Sequence, residues 1–157
     1  MHRHRFLASL WLGFGLLLGA CVQQQAATSW SRAIPPLQPG LARVWVLRMP
    51  SQAGVISGAD PMVFVNGAPL AQSPVYTVYY HDFQPGTYRF TVQAYGTPAN
   101  LVDTLQLAPG MEAYVQVQAV PNWQMGSTAG GASFAVLTMS PTEARSYLPT
   151  MKYLGAR

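Results

Sequence analysis

Gln84-Pro85-Gly86-Thr87-Tyr88-Arg89-Phe90-Thr91-Val92-Gln93-Ala94 is the stretch whose reading decides the fold. Pro followed by Gly suits the two central positions of a type II turn, because Pro presets the first φ and Gly accepts a positive φ at the second. Strict alternation follows. Tyr88, Phe90, Val92 and Ala94 fall on one side, and Arg89, Thr91 and Gln93 on the other. A period of two marks a half-buried β-strand, since successive side chains of a strand point to opposite faces.

Moving toward the N-terminus, residues 75–81 form another strand with aromatics on both faces: Tyr76 and Tyr80 are expected in the core and Tyr79 at the sheet surface. Residues 62–65 (MVFV) run into Asn66-Gly67, a strong hairpin signal because both residues tolerate positive φ, and Pro69-Leu70 starts the return arm. Residues 50–60 are turn-rich and read as a loop. Residues 43–48 (RVWVLR) are apolar on both faces and bounded by Arg43 and Arg48, the pattern of a largely buried strand.

Moving toward the C-terminus, residues 101–107 form a weaker strand, and Ala108-Pro109-Gly110-Met111 repeats the Pro-Gly turn. Ala113, Val115, Val117 and Ala119 then alternate with Tyr114, Gln116 and Gln118. Residues 121–131 form a Gly-rich loop carrying Trp123 and Met125, and residues 134–139 a last strand. Ser140-Pro141-Thr142-Glu143 has capping-box spacing with proline at the first helical position, so one short helix is predicted to about Leu148, stopped by Pro149. Residues 151–157 read as a tail. Strands with turn signals roughly every ten residues and a single helix at the end predict an all-β chain: an antiparallel β-sandwich, immunoglobulin-like or transthyretin-like, with one short C-terminal helix.

The N-terminal part has a different character. Residues 21–40 include Gln23-Gln24-Gln25, Pro35-Pro36 and Pro39-Gly40, without apolar periodicity, and are expected to form a flexible linker spanning about 25 Å. Before it, His2, Arg3, His4 and Arg5 form a basic start, and residues 6–18 an apolar run too short to span a bilayer comfortably. Leu18-Gly19-Ala20-Cys21 resembles the lipobox of bacterial lipoproteins. That resemblance implies a signal peptide over residues 1–20, cleavage between Ala20 and Cys21, and acyl chains on Cys21. Cys21 is the only cysteine, so its expected chemistry is thiol alkylation and not a disulfide. Two or more acyl chains hold a protein firmly on a membrane where one does not. Val22, in place of the Asp that retains such proteins in the inner membrane, implies the outer membrane of a Gram-negative bacterium.

The domain itself, residues 41–157, also resembles a family. Small envelope lipoproteins carry a β-sandwich domain of unknown function with a first strand like Ala42-Arg43-Val44-Trp45-Val46-Leu47-Arg48. They share a hairpin like Val63-Phe64-Val65-Asn66-Gly67, a strand start like Pro85-Gly86-Thr87-Tyr88 and a late strand like residues 110–115. The usual aromatic pair of that late strand is here Ala113-Tyr114. The motifs are turn and core residues, and the family brings no catalytic residues to transfer.

Composition narrows the function. Charged residues make up 9% of the chain, against roughly 25% in an average domain, so uncharged polar side chains must form the surface. The formal charge of +4 falls to about +2 once Arg3 and Arg5 are removed, and the remaining cations are scattered. Such a charge does not suit a nucleic-acid partner. No G-x-S-x-G elbow, metal-ligand spacing or phosphate loop with its Lys occurs. His81 and Asp82 are adjacent, but neighbours on a regular strand point apart and make no dyad. His81 reads as a polar residue at a strand end. The aromatics remain as contact candidates, Trp123 in its loop and Tyr79 on the sheet. The expectation is therefore a non-catalytic, lipid-anchored envelope protein. It would need no cofactor or metal, would hold the membrane through its acyl chains and would contact another envelope protein. The alternative is a glycan- or peptidoglycan-binding module.

Overall fold

The computed structural model describes residues 34–49, 59–93, 102–121 and 132–157. Two sheets face each other across one core. The first has the order β8-β7-β1-β4-β9 and the second β3-β2-β5-β6. The strands are β1 (Ala42–Arg48), β2 (Met62–Val65), β3 (Ala68–Gln72), β4 (Thr77–Phe83), β5 (Gly86–Val92), β6 (Asp103–Leu107), β7 (Glu112–Pro121), β8 (Ala132–Met139) and β9 (Lys152–Ala156). A short helix α1 (Pro141–Tyr147) and a 3-10 turn (Leu148–Thr150) lie between β8 and β9. The chain is an all-β sandwich with one short C-terminal helix. Its compact unit runs from Ile34 to Arg157.

The alternation of β5 sets the inner face as expected. Phe90 is fully buried, and Tyr88 and Val92 pack against the core. From β7 the core takes Ala113, Val115, Val117 and Ala119. Asn66 and Gly67 both hold positive φ, so the β2–β3 hairpin turns where their small or permissive backbones allow it. Asn66 also exchanges bonds with the neighbouring strand: its backbone N–H donates to the Arg89 carbonyl at 2.9 Å, and its side-chain oxygen accepts from the Arg89 N–H at 2.8 Å. The Ser140 hydroxyl accepts from the Glu143 N–H at 3.2 Å, the N-cap that the capping-box spacing predicted.

Three features depart from the sequence-based expectation. First, pairing is not wholly antiparallel: β1 pairs with β7, and β4 with β9, in parallel. Connections β4–β5 and β6–β7 each cross from one sheet to the other, so β7 re-enters beside β1 running the same way. Alternation encodes which face is buried and carries no strand direction. The Pro85-Gly86 bend is one of these crossings. Gly86 lacks the positive φ of a type II turn, whereas Gly110 has it (φ +76°), with the Met111 N–H closing on the Ala108 carbonyl at 3.1 Å. Second, the C-terminal tail is a strand. β9 docks on the free edge of β4, opened by a bond from the Lys152 N–H to the Tyr76 carbonyl at 2.8 Å. Third, the linker ends earlier than residue 40, because Pro35 is bonded to the sandwich through Arg43.

Strand direction gives the sandwich two unlike ends. Arg48, Thr77, Val117 and Lys152 lie level at one end of the first sheet. Hydrogen bonds join it to the start of β2 and the end of β3: Tyr76 N–H to Arg48 O (2.9 Å), Ser73 N–H to Pro61 O (3.0 Å) and Gln93 N–H to Met62 O (2.8 Å). The long connections 50–58, 94–101 and 122–131 depart from this end. The other end carries the short turns at 66–67, 84–85 and 108–111 and the entry of the chain, with the Gly110 N–H on the Leu41 carbonyl at 2.8 Å.

Candidate functional site

β1 lies at the centre of the five-stranded sheet, and all seven of its residues are buried. Its two arginines are buried with it, and each organises one end of the domain. Sequence reading took them for the charged bounds of a strand.

Arg43 holds the entry end. Its Nε and Nη2 donate to the two carboxylate oxygens of Asp82 at 2.7 and 2.8 Å, a two-point pair, and its Nη1 donates to the Pro35 carbonyl at 2.8 Å. The guanidinium lies 3.9 Å from the centre of the Tyr80 ring. Trp45, Tyr80 and Tyr153 surround it, with Tyr80 and Tyr153 stacked at 12°. The Asp82 hydrogen bond raises the Arg43 pKa above its ordinary value, outweighing the burial that lowers it. Burial first, then the hydrogen bond with Tyr80, pushes the Tyr153 phenol up to about 12. The result is a clamp on the incoming chain. Asp82 therefore faces away from its neighbour His81, as alternation requires. The His81 ring sits 4.5 Å from that of Phe83, and its Nδ1 meets the Arg157 carbonyl. Burial lowers the His81 pKa, against a smaller upward pull from Asp82.

Arg48 holds the opposite end. It is 1% exposed, and its guanidinium lies 4.5 Å from the Phe134 ring centre. Nη1 donates to the Ser73 carbonyl at 3.1 Å and Nη2 to the Ala59 carbonyl at a longer 3.5 Å. One cation thus fixes the segments that lead into β2 and β4. Beside it stands Tyr76, 54% exposed and in the left-handed region at φ +59°. That conformation costs a non-glycine residue about 1–2 kcal/mol. Two backbone bonds hold it there, its N–H on Arg48 and its carbonyl on Lys152. The Thr77 hydroxyl closes the same turn on the Pro74 carbonyl at 2.7 Å.

The expected tyrosine assignment is thus inverted. Tyr79, named as a surface contact, is fully buried in the core, while Tyr76, expected in the core, is the exposed ring. The first sheet is covered on both faces, so β4 has no polar side to set the phase of its alternation. Val78 and Tyr80 are buried on the outer face and Tyr79 and Phe83 on the inner. A buried ring cannot be a contact residue, and Tyr79 is withdrawn from that role. Its hydroxyl has no hydrogen-bond partner, and burial raises its pKa far above the ordinary tyrosine value. Tyr79→Phe is accordingly expected to stabilise the domain by about 1 kcal/mol, read as a higher denaturant midpoint at unchanged slope. A loss of stability would show that the hydroxyl is bonded.

The acids stay apart. Glu112 accepts from the Tyr114 hydroxyl and lies near Arg145, Asp103 accepts from Thr138, and Glu143 sits in the first turn of α1. Among the described residues no three of His, Cys, Asp and Glu gather as metal ligands, and no helix is long and apolar enough to cross a membrane. Ala20, Cys21 and Trp123 lie outside the described residues. The arrangement thus defines a class, a two-sheet sandwich with a clamped entry at one end and its long connections at the other. No protein-family model matches the chain, and no curated protein matches it.

Proposed function

We propose that this protein is a lipid-anchored, non-catalytic component of a bacterial cell envelope, attached through Cys21 to the outer membrane and contacting another envelope protein. The observation that carries the reading is the polarity of the domain. The chain enters at the end clamped by Arg43, Asp82 and Pro35, and the Arg48 end, with Tyr76 and the long connections, lies opposite. A tether at the first end leaves the second free to meet a partner. With Pro35 clamped, the tether runs over residues 21–34, and as a coil it would span about 20 Å. That length lifts the domain off the headgroups but does not cross a periplasm. A surface of 9% charged residues gains from such attachment, since a weakly charged protein is otherwise poorly held in solution.

Cross-linking in intact cells, followed by solubilisation, affinity capture and mass spectrometry, tests the proposal, with Cys21→Ser as the mislocalised control. One stoichiometric envelope protein, absent from the control, is expected. Binding to sedimented wall polymer without any protein adduct would favour the glycan-binding alternative instead.

A further inference from the structure

We propose that Tyr76 is a preformed anchor residue that inserts into an uncharged pocket of a second, different protein. The inference rests on the reading of the domain as a non-catalytic contact module and names the residue and the chemistry of that contact. Three observations converge on Tyr76. It is the most exposed of the three bulky apolar side chains that stand out from the described surface, at 54% against 38% for Met111 and 37% for Leu137. Its backbone occupies the left-handed region, which glycine or asparagine would fill at less cost. Its N–H and carbonyl are both fixed, to Arg48 and Lys152, so the ring leaves a rigid turn. An aromatic ring held ready in this way loses little freedom on binding.

Charge and shape say what it meets. Beside it the turn offers Pro74 and Val75, both half-buried, with Lys152 the nearest exposed cation in the pairing. Residues 50–58, 94–101 and 122–131 contain no Asp, Glu, Lys, Arg or His. Nucleic acid and anionic lipid call for clustered cations, so the complementary surface is neutral. A sugar platform needs aromatic rings laid along an open sheet face, and the rings on the first sheet, Trp45, Tyr79 and Tyr80, are all buried. A single ring at the tip of a turn fits a pocket in a protein, where a buried aromatic anchor carries much of the binding energy.

The test places the photo-crosslinker p-benzoylphenylalanine at position 76 of the full chain in living cells, with the same substitution at Thr87 as control. Thr87 is exposed and lies on β5 near the opposite end. One discrete heterologous protein adduct is expected from position 76, at least about tenfold stronger than from position 87. Equal adducts from both positions, an adduct of twice the chain's own mass, a glycan adduct or no adduct would overturn the proposal. Membrane fractionation of the same cells separates this from the anchoring. Loss of the protein from the membrane with the adduct retained defeats the anchor alone, and retention on the membrane without the adduct defeats Tyr76 alone. With the adduct protein purified, Tyr76→Gly is expected to weaken binding about tenfold or more, with the melting temperature unchanged or raised by a few degrees. A melting temperature lowered by more than about 5 °C would show that the ring serves the fold and would overturn the assignment.

Discussion

Asp82→Ala is expected to destabilise the sandwich by about 3 kcal/mol, a large share of the roughly 5–15 kcal/mol that holds a domain of this size. Arg43 is 2% exposed, and both oxygens of Asp82 neutralise it through bonds of 2.7 and 2.8 Å. Without the carboxylate, a charged guanidinium remains buried with one carbonyl and the Tyr80 ring for company. Removing one partner of a buried pair costs more than the pair contributed, because the survivor cannot regain water. Asp82 is 21% exposed, so some water reaches the site, and the lower part of the usual 3–5 kcal/mol range applies. Urea denaturation followed by tryptophan fluorescence measures the effect. A loss under about 1 kcal/mol would mean that Pro35 and Tyr80 hold Arg43 unaided. The same variant is expected to loosen the segment around Pro35, seen as faster proteolysis ahead of Leu41, because the clamp orients the nitrogen that binds the Pro35 carbonyl.

Cys21→Ser is expected to have the largest effect on location. Serine offers no thiolate for alkylation, so fatty-acid labelling should vanish and the protein should accumulate uncleaved or leave the membrane fraction. The folded domain starts at Ile34, so its thermal stability should not change. The two variants thus separate the parts of the molecule, since Asp82→Ala disturbs the fold and Cys21→Ser the attachment. Labelling that persists in Cys21→Ser would remove the anchor from the account.

Much of the fold is legible in the sequence where one strand face is polar. On β5, Arg89, Thr91 and Gln93 fix the phase, and Phe90 falls inward. The Asn66-Gly67 turn and the Ser140 cap declare themselves through local chemistry, a positive φ and a hydroxyl on an N–H. Legibility fails where the decisive interaction is distant. β9 has a Gly at φ +89° and little alternation, and it becomes a strand through pairing with β4 some seventy residues earlier. The phase of β4 fails for a related reason: the far face of its sheet is itself buried, so Tyr79 and Tyr80 look alike in sequence and lie on opposite sides. Arg43 and Arg48 read as solvated strand ends because their partners, Asp82, Ser73 and Ala59, are remote along the chain. Tyr76 had one local signal, the Ser73-Pro74 pair before it, which marks a turn where alternation suggested a strand.

The attachment of the chain is the claim on which the proposed function stands, and the mass of the mature N-terminal peptide tests it most directly. The protein is isolated from the membrane fraction of its own cells and digested, and the first peptide is measured. The account predicts a peptide beginning at Cys21 whose mass exceeds that of its amino acids by a diacylglyceryl group on sulfur and a further acyl chain on the amine. A peptide that begins elsewhere, or one that carries Cys21 as a free thiol, would contradict it.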